Sequence, residues 1–195
     1  SCSWVTASML PTTLAVTLPD GAITLTAWVQ GADGTVSAPV SSNSIVLDQT
    51  APVAAWVSPA GNEVWNGSAH QLTWTATDAI GLAALPVVIE LSTDNGATFA
   101  PLAAARANTP STFTWLPTAS AAQAKVRLVV TDAAGNVTRV TSNTFTVDTV
   151  TPSVASLQLN AGAPATNNPL FTLTFGTVTD YTLSLHVALR LGKEC

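Results

Sequence analysis

Apolar and polar side chains alternate along several short stretches of the chain. Leu72, Trp74 and Ala76 alternate with threonines, and a period of two places successive side chains on opposite faces of a strand. The same alternation is found at 87–92, 112–115, 125–130 and 144–147. No stretch has the spacing of about 3.6 residues that marks an amphipathic helix. The pattern therefore predicts an all-β fold built from short strands.

One face of each predicted strand is apolar and the other is polar. The outward positions are mostly threonine, with Glu90 and Ser92 among the others, and prolines and glycines separate the stretches. Strands with one polar face are typical of antiparallel sheets that pack in two layers. We therefore expect an antiparallel β-sandwich with about seven strands.

One segment of the chain occurs twice. Residues 42–48 read Ser-Asn-Ser-Ile-Val-Leu-Asp and residues 142–148 read Ser-Asn-Thr-Phe-Thr-Val-Asp, each followed by a proline, Pro52 or Pro152. The offset, 148 − 48 = 100 residues, is the size of one β-sandwich domain. We predict the C-terminal part of one sandwich repeat at 1–50, a complete repeat at 51–150 and the truncated start of a third at 151–195.

Other segments align at nearly the same offset. Residues 25–29, Gly34 and Val36 align with 126–130, Gly135 and Val137, with one residue inserted or deleted in the loop. Residues 72–74 align with 173–175, and Asp78 aligns with Asp180. The repeat therefore extends to both sides of the segment that reveals it.

Charged residues are scarce and mostly acidic. They make up 9% of the chain, whereas 47% of the residues are hydrophobic, which excludes a disordered chain. Eleven acidic and six basic residues give a net charge of −5, so the chain lacks the basic surface that nucleic acids and anionic membranes bind. The longest apolar run, 79–89, is too short to cross a bilayer. We predict neither nucleic-acid binding nor membrane insertion.

The ends of the chain carry little information. Cys2 and Cys195 lie at the two extremes, so neither belongs to a disulfide framework within the body of the chain. The chain begins at Ser1 without an initiator methionine or a leader, which is typical of a piece of a longer polypeptide. The tail at 182–195 is rich in leucine and poor in threonine. We assign no function to this tail, because its composition differs from that of the rest of the chain.

Several motifs of the predicted complete repeat point to a family. They are Gly61, Glu63 and Trp65 after Pro52, then 72–74, 92–96 and 131–136, and finally Val147 and Asp148. With these motifs, the chain resembles the tandem immunoglobulin-like or fibronectin type III-like repeats of large bacterial secreted and surface proteins. The cysteine pair of antibody-type domains is absent.

The resemblance implies a place and a role. It implies tandem antiparallel sandwiches, outside the cell or on the surface of a bacterium, that act as non-catalytic spacer or adhesion modules. Their partners would be neighbouring repeats of the same chain, and glycans or proteins on a host or matrix surface. The alternative is an accessory, glycan-binding domain of a secreted hydrolase.

Catalytic motifs are missing from the sequence. His70 and His186 are the only histidines, and no nucleophile elbow, phosphate loop or zinc spacing occurs. Residues 92–99 match the Asp-box hairpin that recurs in sialidase propellers, but a propeller needs several such boxes. A single box indicates a turn joining two strands through Asn95 and Gly96. We therefore predict that the chain is not an enzyme and requires no cofactor.

Three aspartates are predicted to meet at the entry to the complete repeat. Asp78 and Asp132 end strands that finish at the pole where the chain enters, and the incoming linker carries Asp48. Such carboxylates, with loop carbonyls and Asn136, are the hard oxygen ligands that calcium takes. Part of the set recurs at the next junction as Asp148 and Asp180. The alternative is that these residues only form turns at strand ends.

Tryptophans offer a second type of site. Trp28, Trp56 and Trp65 would form a platform on which a sugar ring stacks if they faced solvent together. The alternative is that Trp56 and Trp65 pack against the edge of the core, because tryptophan side chains are usually buried in part.

Overall fold

A computed structural model describes residues 17–168 and 170–182. In this part of the chain there is no α-helix, only a single 3-10 turn at Asn160–Gly162, so the all-β prediction is confirmed. No helix among the described residues is long and apolar enough to span a membrane. Residues 183–195, most of the predicted tail, lie outside the described residues.

The strands are short on both flanks of the chain and longer in the middle. In chain order they are β1 (Gly21–Ile23), β2 (Thr26–Ala27), β3 (Val40–Ser41), β4 (Ile45–Leu47), β5 (Val53–Ser58), β6 (Val64–Asn66), β7 (His70–Thr77), β8 (Leu82–Ser92), β9 (Ala100–Arg106), β10 (Thr112–Trp115), β11 (Ala121–Asp132), β12 (Val137–Thr141), β13 (Phe145–Asp148), β14 (Ser153–Val154), β15 (Leu157–Leu159), β16 (Leu173–Phe175) and β17 (Val178–Thr179).

Two sheets account for β5 to β13. The smaller has the order β10-β7-β5, and the larger has the order β6-β13-β11-β8-β9, with β12 also paired to β11. These pairs are antiparallel except for β6 and β13, which run parallel. Strands of both sheets contribute to one hydrophobic cluster, which is consistent with a β-sandwich.

The predicted inward positions form this core. The cluster includes Leu72 and Trp74 from β7, Ile89 from β8 and Leu128 from β11, because a period of two places all apolar members of a strand on one face. Ser92 is a correction. It was predicted to face outward, yet it is 1% exposed, because its hydroxyl is drawn into the following hairpin.

The duplicated sequence segments have matching hydrogen bonds. The Ser142 hydroxyl accepts a bond from the amide of Val126 at 3.1 Å and donates to the carbonyl of Asn143 at 2.8 Å. In the same way, the Ser42 hydroxyl accepts from the amide of Leu25 at 3.0 Å and donates to the following carbonyl at 2.7 Å. In both places this serine interrupts the last strand. The interruption separates β12 from β13. The alternation at 144–147 predicted a strand where β13 lies, but it did not predict β12.

The flanking segments form isolated strand pairs. β1 pairs with β4 and β2 with β3 on one side, and β14 pairs with β17 and β15 with β16 on the other. Large apolar side chains such as Ile45 and Leu157 are exposed there. The buried core residues all lie between Trp65 and Val147 in the sequence.

Candidate metal centre

Three carboxylates meet where the chain enters the larger sheets. One oxygen from each of Asp48, Asp78 and Asp132 lies within 4.8 Å of the other two. Asp48 directly follows β4, Asp78 directly follows β7, and Asp132 is the last residue of β11. Because β7 and β11 belong to different sheets, the cluster joins both layers to the incoming linker. The structure thus brings the three predicted residues together.

Asp132 is held rigidly by its own loop. It is 2% exposed, and its Oδ1 accepts bonds from the amides of Ala134, Gly135 and Asn136 at 2.8, 2.7 and 2.9 Å. Burial by itself raises the pKa of this carboxyl group. The hydrogen bonds from the Asn136 side chain and from these amides lower the pKa by more than burial raises it, so the pKa lies below its ordinary value. Asp132 is therefore ionised and fixed in position at neutral pH.

Asp78 shapes the neighbouring loop in a similar way. Its Oδ1 accepts bonds from the amides of Ile80 at 2.9 Å and Gly81 at 2.8 Å. The carbonyl of Gly81 accepts a bond from the amide of Ala133 at 3.0 Å, which ties this loop to the loop of Asp132. Gly81 has φ of +147°, a conformation that favours glycine. The two loops hold Asp78 and Asp132 at a set separation.

Asp48 supplies the least satisfied oxygen. The residue is 9% exposed, and its Oδ1 accepts a bond from the amide of Thr50 at 3.1 Å. Its Oδ2 is buried and has no hydrogen-bond partner among the described residues. Buried carboxylate oxygens are normally paired, because leaving one unpaired costs the full desolvation energy. A role in turn formation explains Oδ1 of Asp48 but leaves Oδ2 unexplained.

Asn136 connects the cluster to the linker. Its Nδ2 donates to Asp132 Oδ2 at 2.8 Å, to the carbonyl of Asp48 at 3.0 Å and to the carbonyl of Thr50 at 3.4 Å. The sequence suggested Asn136 as an oxygen ligand. The structure instead uses its amide hydrogens to hold a carboxylate and two linker carbonyls.

Asp20 also holds the linker, a role that the sequence pattern did not predict. Its Oδ1 accepts a bond from the amide of Gln49 at 3.0 Å, and its Oδ2 accepts one from the Thr50 hydroxyl at 2.7 Å. The hydroxyl bond of Thr50, followed by that of the Gln49 side chain, lowers the pKa of Asp20. Asp20 thus holds the linker from the side of the preceding segment, and only its place directly before β1 would have indicated this.

The donor set of the cluster suits a hard cation. All three side chains offer oxygen, which is the ligand type of calcium and magnesium, whereas nitrogen and sulfur ligands are absent from this group. Two unit charges about 4 Å apart repel by about 1 kcal/mol even in bulk water. A divalent ion would offset the repulsion and would give Asp48 Oδ2 a partner. The three carboxylates thus form a candidate site for a hard divalent cation.

The second predicted pair is arranged differently. Asp148 Oδ1 accepts a bond from the amide of Val150 at 2.9 Å, and Oδ2 accepts bonds from Thr182, the hydroxyl bond being 2.6 Å long. The Thr182 hydroxyl is the main cause of the lowered pKa of Asp148. Asp180 Oδ1 accepts a bond from the amide of Tyr181. Among the described residues, Asp148 and Asp180 are not part of a cluster of three potential ligands.

The three tryptophans do not share a surface. Trp65 is 8% exposed and stacks on His70 with 4.6 Å between ring centroids. Trp56 is half-buried and donates its indole hydrogen to the carbonyl of Val140 at 3.0 Å. Of the three, Trp28 alone is exposed, at 43%. Trp65 therefore packs in the core, and the predicted platform of three rings is not assembled.

The Asp-box stretch forms a single hairpin turn. Asp94 Oδ1 accepts bonds from the Ser92 hydroxyl at 2.6 Å and the amide of Thr98 at 2.9 Å. Asn95 and Gly96 have positive φ angles of 61° and 91°, as a turn of the type I′ kind requires. The structure thus agrees with the turn interpretation of this motif.

Comparison with known proteins gives little guidance to function. No known protein family and no curated protein matches the chain. A solved structure of an engineered protein is similar over part of the chain, with 22% sequence identity and a TM-score of 0.35. The similarity covers 49% of this chain and 20% of the engineered one.

Proposed function

We propose that this chain is a non-catalytic spacer module from a tandem array of immunoglobulin-like repeats in an exported bacterial protein. The matching hydrogen bonds of Ser42 and Ser142 support a repeated unit, since both serines interrupt the last strand in the same way. Sequential units joined by short proline-containing linkers lie end to end. The function of such an array is to hold a terminal domain at a distance from the cell.

The joint between repeats is the functional part of a spacer, and here we place a calcium ion at Asp48, Asp78 and Asp132. The single observation that carries this assignment is the buried, unpartnered Oδ2 of Asp48 beside two further carboxylates. Asp48 comes from the linker, whereas Asp78 and Asp132 come from the following repeat. An ion bound by all three therefore links consecutive units and stiffens the array.

Thermal unfolding of the full chain tests the assignment. Extracellular calcium modules bind with dissociation constants of about 0.1–1 mM, so about 10 mM calcium should stabilise the folded state by roughly 1.4–2.7 kcal/mol. Asp78→Asn keeps the Oδ1 acceptor for the loop amides but removes a charge. This variant should lose the calcium effect and, in EDTA, should melt slightly above the unaltered chain because repulsion is relieved.

Asp33→Asn is the matched control. Asp33 is an exposed turn residue whose Oδ1 accepts bonds from Thr35, and it lies outside the cluster of potential ligands. It should leave the calcium effect unchanged. A melting temperature that does not respond to calcium in the unaltered chain, or that responds equally in Asp78→Asn, would refute the site.

A further inference from the structure

The linker that enters the complete repeat runs beside β12. Asn136, which directly precedes β12, and Thr138 and Val140 within it are half-buried and alternate with exposed residues. They lie two positions apart, so their side chains share one face of the extended chain. The side chains of Asn136 and Thr138 each donate hydrogen bonds to the incoming linker, and the carbonyl of Val140 accepts one from Trp56 of β5. We call Asn136 and Thr138 the linker clasp.

The clasp captures linker carbonyls at every second residue. Asn136 Nδ2 donates to the carbonyls of Asp48 and Thr50 at 3.0 and 3.4 Å, and Thr138 Oγ1 donates to the carbonyl of Pro52 at 2.5 Å. Carbonyls two residues apart point the same way in an extended chain. The bonds thus follow one edge of the linker over 48–52.

One feature of the sequence, the proline at position 52, favours side-chain donors here. Pro52 has no amide hydrogen, so an ordinary ladder of backbone bonds cannot continue through it. Further along, Trp56 donates its indole hydrogen to the carbonyl of Val140 at 3.0 Å. The side-chain bonds of the clasp thus take the place of a backbone ladder along the linker, and the Trp56 bond continues the contact along β5.

We propose that the linker clasp fixes the direction of the incoming linker without an ion, and that calcium then locks a joint that is already aligned. Asn136 connects the two functions, because the same Nδ2 also donates to Asp132 Oδ2 at 2.8 Å. The inference rests on the spacer function proposed above and names the residues that set its geometry. Asn136 and Thr138 are positioning residues in this scheme, whereas Asp48, Asp78 and Asp132 are ligands.

The preceding segment provides an independent comparison. Its bridge between Gln30 and Val36 corresponds to the pairing of Thr131 with Val137, which places Thr35 at the position of Asn136. Thr35 donates its hydroxyl to Asp33 at 2.7 Å.

The same alignment places a glycine at the position of Asp132. This residue is Gly31, whose amide bonds the carbonyl of Thr35 at 2.8 Å, as that of Asp132 bonds Asn136 at 3.1 Å. In the preceding segment both Asn136 and Asp132 therefore have different counterparts, Thr35 and Gly31. This joint replacement is expected if the clasp and the metal ligands act at the same joint.

Distances between two spin labels test the proposal in the full chain. Labels at Ala38→Cys and Ala119→Cys, two exposed positions, are introduced together with Cys2→Ser and Cys195→Ser. In EDTA, the otherwise unaltered chain should show one narrow distance distribution. Asn136→Ala combined with Thr138→Val should about double its width, and calcium should narrow it again.

Two controls separate this proposal from the calcium site. Thr141→Val, at an exposed position of β12, should keep the narrow distribution in EDTA. Asp78→Asn added to the double clasp variant should leave the distribution broad in EDTA, and calcium should no longer narrow it. Thr138→Val alone is isosteric and should broaden the distribution without altering the near-ultraviolet circular dichroism of the core tryptophans.

The outcomes are distinct. A broad distribution for the unaltered chain in EDTA, or a narrow one for the double clasp variant, would overturn the clasp. If the unaltered chain is narrow in EDTA and calcium fails to narrow the broad distribution of the double clasp variant, the ion site is refuted and the clasp stands.

Discussion

At the scale of single residues, the three aspartates of the cluster have different roles. Asp132 is fixed by amides of its own loop, Asp78 forms a tight turn, and Asp48 brings a buried oxygen without a partner. Residue type and position at a strand end were enough to predict that these three belong together. The unpaired oxygen of Asp48 was not predictable, because it depends on the path of the linker.

Asp132 should make the stability of the fold depend on pH. Its pKa is lowered in the folded state, so its ionised form stabilises the fold above the unfolded pKa of about 3.9. That contribution is lost as the pH falls through the lower folded value. In EDTA, the unaltered chain should therefore lose more stability between about pH 6 and pH 2.5 than Asp132→Asn, as measured by urea unfolding. Parallel pH profiles for the two proteins would contradict this role.

At the scale of strands and turns, alternation predicted which side chains are buried but not which strands pair. Leu72, Trp74 and Ile89 are buried as expected. The parallel pairing of β6 with β13 leaves no mark in the sequence, since a period of two is the same in parallel and antiparallel strands. Ser92 was misplaced because its hydroxyl bonds inside a hairpin, which overrides the alternation.

The serine between β12 and β13 should stabilise the region from β5 to β13. Ser142 is 7% exposed, and its hydroxyl satisfies the buried amide of Val126. Ser142→Ala should lower the free energy of unfolding by about 1–3 kcal/mol, because that amide loses its partner. Ser42→Ala removes the same bonds at an exposed position and should cost less than about 1 kcal/mol, since water replaces them. Equal costs in denaturant unfolding would show that burial does not govern the motif.

At the scale of the whole molecule, the joint between segments is the feature that the strand pattern only partly predicted. Strand ends at one pole indicated that Asp78 and Asp132 lie close to the linker. The sequence did not predict the hydrogen bonds of the linker clasp to the linker carbonyls. It also did not predict the hydrogen bond from the Thr50 hydroxyl to Asp20. They depend on how an extended linker passes over a neighbouring strand, which neither hydrophobic period nor residue type encodes.

Isothermal titration of the full chain with calcium chloride is the most direct measurement of this joint. We predict uptake of one ion per chain with a dissociation constant of about 0.1–1 mM, lost in Asp48→Asn and Asp78→Asn and kept in Asp33→Asn. No uptake at millimolar calcium, or uptake unchanged in a chain carrying both Asp48→Asn and Asp78→Asn, would contradict an ion at the joint and leave these aspartates as turn-forming residues.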